Sequence, residues 1–317
     1  MSALAPLVVE VERSGLIEST HLVDVAVTDA AGALVAWAGE PDTVAYLRSS
    51  AKPVQALACL ENGWVPPGPE QLAIACASHN GEPQHVEAAR ATLAAAGVDE
   101  EELRCPPAWP SPPGAAAASD GPARIFHNCS GKHAAMLATS AVNGWALHDY
   151  RASDHPMQRA ALATIERLAG RAVRHAGIDG CGVQTFAFTL AEAATIFGRL
   201  MSEAVAPLDA MTAHPFLVAG NDRLDTAIMR TLPRVVIKGG AEGIVCALDR
   251  GSGSGIALKS RDGTQRGRDV ATIAVLRMLG AVDGSIAETL APHADPPVLG
   301  GERRVGSIHV RGDLQRA

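Results

Sequence analysis

The chain has 317 residues, 27 basic against 34 acidic side chains, and a formal net charge of -7. Hydrophobic residues make up 47%, enough to bury a sizeable core as one large domain or two closely joined ones. Basic runs with interleaved aromatics are missing and only 3% of residues are aromatic, which excludes nucleic acid as an expected partner.

No apolar run approaches the ~20 residues that a membrane span needs. Residues 1–14 lack the basic stretch and unbroken apolar core of a signal peptide, so the expected setting is soluble and cytoplasmic. Residues 5–12, 21–28 and 33–38 alternate or run apolar, with a turn signal at Asp29-Ala30-Ala31-Gly32. They predict an N-terminal antiparallel meander.

Arg48-Ser49-Ser50-Ala51-Lys52-Pro53 comes next, where a helical pattern begins (Val54, Leu57, Ala58, Leu60). The helix is expected over 53–62, closed by Asn62-Gly63. Ser49 and Lys52 are three apart and so share one helix face. The helix start favours a developing anion, and a lysine that sheds its proton on partial burial can take the serine proton. Spacing alone fits either a solvated helix start or a Ser-Lys nucleophile.

Leu72 to Ala77 reads as a short buried segment leading to a polar tip, Ser78-His79-Asn80-Gly81-Glu82. That tip is either a functional loop or a turn with a helix cap. Residues 83–96 predict a helix ending at Gly97, with a second short one from Asp99. Cys105 to Arg124 holds six prolines and an alanine run, and reads as an irregular surface excursion.

His127-Asn128-Cys129-Ser130-Gly131-Lys132-His133 precedes an apolar helix over 132–142. Cys129 suits a nucleophile, a metal ligand with His127 or His133, or a plain turn. Gly131-Lys132 lacks the Gly-rich run of a phosphate loop. A helix is expected at 156–169. In Gly177-Ile178-Asp179-Gly180-Cys181-Gly182-Val183, three glycines imply a tight backbone presenting Asp179 and Cys181.

Residues 185–203 are compatible with helix. Strands are expected at 235–237 and in a hairpin over 243–259, a helix at 269–279 and a last strand at 305–311. Lys259 precedes Ser260-Arg261-Asp262-Gly263; it is either solvated or a lysine that binds or activates substrate. Strands at both ends with helices between give an α+β class, an antiparallel sheet built from both termini.

Of six cysteines, Cys59, Cys76 and Cys246 sit among apolar residues as small core side chains. Cys129 and Cys181 lie in polar Gly-rich loops. Without a signal peptide, a pair of loop cysteines points to zinc more than to a disulfide, although two soft ligands fall short of the four of a structural site.

Taken in order, these motifs resemble the asparaginase II family, the Rhizobium-type class 3 L-asparaginases. The resemblance rests on residues 48–53, 78–82, 128–133, 179–183, on Lys238-Gly239-Gly240-Ala241-Glu242-Gly243, and on 259–263. Gln184 stands where the family has a proline, and 106–122 looks peculiar to this chain. The resemblance implies one catalytic domain over 1–317 with a serine β-lactamase/penicillin-binding-protein-like fold. It implies hydrolysis of L-asparagine to L-aspartate and ammonia by a homodimer. Ser49 with Lys52 would be nucleophile and base, and Ser78 with Lys259 a second couple. Arg48, His133, Asp179 and Glu242 would bind substrate. Cys129, Lys132 and Cys181 match a zinc site, with His133 and Asp179 close by. The competing readings are another serine acyl hydrolase on this fold, such as a glutaminase, β-lactamase or DD-peptidase, and a non-catalytic zinc-stabilised binding protein. The lack of a secretion signal speaks against the β-lactamase and the DD-peptidase. Intact Ser-Lys pairs argue against the binding protein.

Overall fold

The computed structural model describes residues 5–111 and 113–317. The expectation about an N-terminal leader therefore falls partly outside the described residues. Among them, no helix is long and apolar enough to cross a membrane.

The strands in chain order are β1 (Leu7–Arg13), β2 (Leu16–Thr28), β3 (Leu34–Ala38), β4 (Val44–Tyr46), β5 (His175–Ile178), β6 (Gln184–Thr189), β7 (Val235–Gly239), β8 (Ile244–Asp249), β9 (Ser254–Ser260), β10 (Val298–Gly300), β11 (Arg303–Arg311) and β12 (Gln315–Arg316). Contacts gather the chain into two units. One runs up to Ser50 and takes in Ala187–Met201 and Ala227–Ala317; the other comprises Ala51–Phe186 and Ser202–Thr226.

The first unit is built on an antiparallel sheet ordered β10-β11-β1-β2-β9-β8-β7, with β3 beside β2 and β12 beside β3. The β1–β2 hairpin turns at Ser14 and Gly15, whose φ of 51° and 86° suit a tight two-residue loop. Along β1, Leu7, Val9 and Val11 are buried and the residues between them are not, the period of a half-covered strand. In β2, Val23 to Thr28 are all buried, as in a strand covered on both faces. The chain's two ends meet where β1 pairs β11, from Val8 opposite Arg311 to Arg13 opposite Gly306. The helix Gln265–Met278 packs on β1, β2, β9 and β11. The helix Leu190–Glu203 crosses β9 at Gly255, where a Cβ would stand 1.9 Å from the Ala194 carbonyl oxygen.

The expected helix over 185–203 divides: β6 comes first and the helix starts at Leu190. Thr185, Phe186, Phe188 and Thr189 favour a buried strand. Thr189 and Glu192 then close the helix reciprocally, Glu192 N–H to Thr189 Oγ1 at 3.2 Å and Thr189 N–H to Glu192 Oε2 at 2.8 Å. β6 pairs β4, and β4 leads into the Arg48–Ala51 turn.

The second unit is mainly helical. Helices Lys52–Glu61, Pro69–Ala75, Pro83–Ala95 and Pro156–Ala169 each carry proline in the first two positions, where its missing N–H costs nothing. All four pack on Ser130–Val142, which is buried from Ser130 to Ser140. The segment expected as a short buried run before Ser78 is thus a helix, Pro69–Ala75. Among its described residues, the excursion between Cys105 and Arg124 carries a bridge, Ala108 with Ala123, and a short helix, Pro113–Ala117. The molecule is α+β, as its alternation of patterns predicts.

Candidate active site

In the first unit, Arg48 has φ of 49°, a conformation uncommon for a side chain other than glycine, and Ser49 follows it half-buried. The neighbouring Ser50 is fully buried and donates to the Lys238 carbonyl at 2.7 Å. A Cβ on Gly240 would lie 2.9 Å from the Leu47 carbonyl oxygen and 3.2 Å from Ser50 Oγ. The Lys238-Gly239-Gly240 motif is therefore the backbone support of the serine turn, a role its sequence does not announce. Arg268, itself buried, donates to the Gly240 carbonyl at 2.9 Å. Glu242, expected at the substrate, also has a positive φ, 58°.

Lys259 lies on β9, half-buried, with its amine donating to the Ser260 carbonyl. Burial lowers its pKa, and the carboxylates of Glu242, Asp262 and Asp24 oppose that shift. Asp262 accepts from Ser260 at 2.7 Å and meets His21 Nδ1 at 2.6 Å. Asp24 holds Arg261 through both carboxylate oxygens.

In the second unit, Lys52 opens its helix with 1% of its surface exposed. Its amine donates to the Ala77 carbonyl, to Ser78 Oγ at 2.9 Å and to the Asn128 carbonyl at 3.2 Å. Three acceptors match the three N–H bonds of an ammonium. His79 N–H donates to the same Asn128 carbonyl at 3.2 Å. His79 Nδ1 accepts from Gly81 N–H at 3.1 Å, so Nε2 carries the proton and faces Ser130 Oγ at 3.0 Å. Burial holds the His79 pKa well below its ordinary value.

One turn further on, Cys129 Sγ lies 3.1 Å from Asn128 Oδ1, and Lys132 donates to Cys181 Sγ at 3.1 Å. A thiol hydrogen bond from Cys129, helped by the Lys132 charge, pulls the Cys181 pKa down; the same bond and burial push Cys129 up. Cys181 is presented by a turn in which Gly182 N–H donates to the Asp179 carbonyl and Asp179 N–H to the Val183 carbonyl, both at 2.8 Å. Asp179 itself acts on Lys132 through its charge. His133 is wholly buried and meets the Tyr150 hydroxyl at 2.6 Å through Nδ1. Tyr150 accepts from Arg104 N–H, so its own proton goes to His133 and the imidazole proton sits on Nε2. That nitrogen is buried beside Cys181 without a well-formed hydrogen bond, and burial lowers the pKa to about 4. Among the described residues, no three His, Cys, Asp and Glu side chains gather for a metal. The thiol pair reaches three donors only with the Lys132 amine.

The structure thus gathers Lys52 with Ser78, and Cys129, Lys132 and His133 with Cys181. Arg48, Ser49, Glu242 and Lys259 belong to the first unit. Gln184, in place of the family's proline, uses an N–H that proline lacks, donating to Gln158 Oε1 at 3.4 Å. Asn128 was legible only as part of a motif, because its contribution is chiefly a backbone carbonyl. Tyr150 lies outside every motif and had no signal.

An α+β chain with a buried amine on a serine hydroxyl is equipped for proton transfer to and from an oxygen, and its wider class is that of the asparaginase-type amidohydrolases. The chain belongs to the L-asparaginase II family, whose family model matches residues 9–310. None of the curated proteins compared with it matches. Among solved structures it is similar to Mglu, at 14% identity and TM-score 0.45, over 86% of this chain and 67% of that one. Mglu in its glutamate form gives 15%, 0.47, 83% and 62%. A beta-lactamase from Mycobacterium bovis gives 15%, 0.36, 80% and 94%. The chain spans about two thirds of the length of the Mglu chains it matches, the covered share of them running from 60% to 67%.

Proposed function

We propose that this protein is an L-asparaginase that hydrolyses L-asparagine to L-aspartate and ammonia through an acyl-enzyme on Ser49. The observation that carries the reading is Lys52: a buried amine, one helical turn after a half-exposed serine, already bonded to a second serine hydroxyl. An amide is a weak electrophile with a poor leaving group. Ser49 attacks the side-chain carbonyl carbon while Lys52, in its neutral form, takes the serine proton. Backbone N–H groups at the helix start stabilise the oxyanion. The tetrahedral adduct breaks its C–N bond, and the lysine returns the proton to the departing nitrogen, which leaves as ammonia. Ser78 and Lys259 are the proposed second pair of catalytic side chains, and water then cleaves the ester to aspartate. Arg48, His133, Asp179 and Glu242 are the proposed substrate contacts. The buried His133 is suited to shaping a wall.

Zinc fits the Cys129, Lys132 and Cys181 donors. Both sulfurs and the Lys132 amine are buried, and the amine lies on Cys181 Sγ at 3.1 Å. When bound, the ion supplies a fixed positive charge and a soft-ligand cross-link. We also propose a homodimer working in the cytoplasm, where six buried thiols stay reduced. Sedimentation and cell fractionation test those two points.

The deciding measurement is ammonia release from L-asparagine and L-glutamine. Ser49→Ala is expected to lower kcat at least ~10³-fold with the fold intact, since the covalent route is lost. Near-full asparaginase activity in that variant overturns the assignment. Faster release from glutamine would make the protein a glutaminase.

A further inference from the structure

We propose that Arg223 binds the α-carboxylate of the substrate and so selects amino-acid amides over simple amides. This rests on the amidohydrolase reading above and assigns a residue outside every motif of the sequence. The segment before Arg223 is seated on the loop that carries Ser78. Ser78 N–H donates to the Val218 carbonyl at 2.8 Å, and Asn80 Nδ2 approaches the Asn221 carbonyl at 3.4 Å. Asn80, two residues after Ser78, accepts from Arg223 Nη1 at 3.0 Å.

The backbone around this contact is built to make it. Gly220 has φ of 114°, and a Cβ there would stand 2.3 Å from Asn80 Nδ2. Asp222 takes a left-handed φ of 56°. Thr226 Oγ1 ties the loop, donating to the Gly220 carbonyl at 2.7 Å and approaching the Pro215 carbonyl at 3.1 Å. The nearby Glu82 is occupied otherwise: its oxygens take the side-chain amides of Asn80 and Asn221, each at 3.4 Å.

Among the described residues Arg223 makes no ion pair, although it is half-buried and fixed through one N–H. A guanidinium carries five donors in a planar fork that suits a carboxylate. A cation positioned with that fork open, on the loop whose serine accepts from Lys52, is a receptor for an anion. The anionic group of asparagine is its α-carboxylate, two bonds from the side-chain amide carbon's own neighbour.

The test compares L-asparagine with 3-aminopropanamide, the same amide without the α-carboxylate. Arg223→Gln keeps a donor for Asn80 and is expected to raise KM for L-asparagine ~10–100-fold with kcat nearly unchanged, the usual worth of a charged hydrogen bond. Its kcat/KM for 3-aminopropanamide should not move, and Arg223→Lys should fall between the two. Equal losses on both amides, or no change on either, overturn the proposal; the second result is expected if Arg48 reads the carboxylate instead. Calorimetric binding of L-aspartate against β-alanine separates this from the functional reading. If the wild type releases no ammonia yet prefers L-aspartate, and Arg223→Gln abolishes that preference, the anion site stands and the asparaginase reading falls. No preference in the wild type overturns the anion site.

Discussion

Lys52 and Lys259 show how the same side chain is prepared differently. Lys52 is buried, and its amine meets three acceptors. Lys259 is half-exposed on a sheet strand, and burial lowers its pKa against three carboxylates. A neutral amine is the form that accepts a proton. Because the Lys259 shift is downward, that form is gained on raising pH through a value below the ordinary 10.5. We expect kcat/KM for asparagine to climb from neutral to alkaline pH, with an apparent pKa under that value. Lys259→Met should shift the apparent pKa of this limb in whatever activity is left. A wild-type profile flat over that range, with folding verified at each pH, would refute the role.

At the scale of elements, the helix Ser130–Val142 succeeds because its first turn can approach the helix Pro69–Ala75. A Cβ on Gly131 would stand 2.3 Å from the Ile74 carbonyl oxygen, which is backbone and has little room to yield. Gly131→Ala gains up to ~1 kcal/mol of helix propensity but incurs overpacking of about 1–3 kcal/mol. The expected outcome is a lower Tm and a displaced Lys132; calorimetry showing a higher Tm would contradict this packing. The helix Pro83–Ala95 depends on a neutral histidine. His85 Nδ1 accepts from Glu82 N–H at 3.1 Å in a capping box, so Nε2 carries the proton toward the Phe216 carbonyl at 2.9 Å. Burial lowers the His85 pKa below 6.5, opposed by the Phe216 carbonyl and Glu82. As pH falls past that unfolded value the unfolded chain takes up the proton first, so stability is present above it and declines toward the folded pKa. Each such proton contributes a slope of about 1.4 kcal/mol per pH unit. Acid unfolding should be less steep in His85→Gln, which keeps a donor and an acceptor. Equal slopes in urea titrations across this range would show that His85 does not carry it.

At the scale of the whole molecule, the cysteine pair joins segments distant in sequence: the turn at Cys181 and the start of the helix at Ser130–Val142. A metal held there would act as a removable cross-link within the second unit. Protein purified without chelator is expected to hold about one zinc per chain. At a hundredfold excess over its Kd the ion would add about 2.7 kcal/mol of stability, seen as a fall in Tm on chelation. Cys129→Ser/Cys181→Ser should lose both the zinc and the chelator effect. Equal metal content in that variant and the wild type would place any zinc elsewhere.

Residues near one another in sequence determined much of this by themselves. Proline at the start and Asn62-Gly63 at the end mark the helix Lys52–Glu61, and alternating apolar residues mark β1. The hairpin of β8 and β9 follows from two apolar runs around a glycine turn. The α+β class follows from strands at both ends. The helix Pro69–Ala75 was less visible, because a seven-residue apolar segment has no period that separates helix from strand. The break between β6 and its following helix was legible in the Thr189–Glu192 capping signal, but the apolar run over 185–203 masked it. Only tertiary structure decided what Lys52 touches. Spacing brings Ser49 onto its helix face, whereas its acceptors come from residues 77, 78 and 128. Two of those are backbone carbonyls, which every residue possesses and which therefore leave no mark in a sequence. The same holds for Cys129 with Cys181 and for Arg223 with Asn80: local chemistry names the candidates, but long-range packing chooses the pairs.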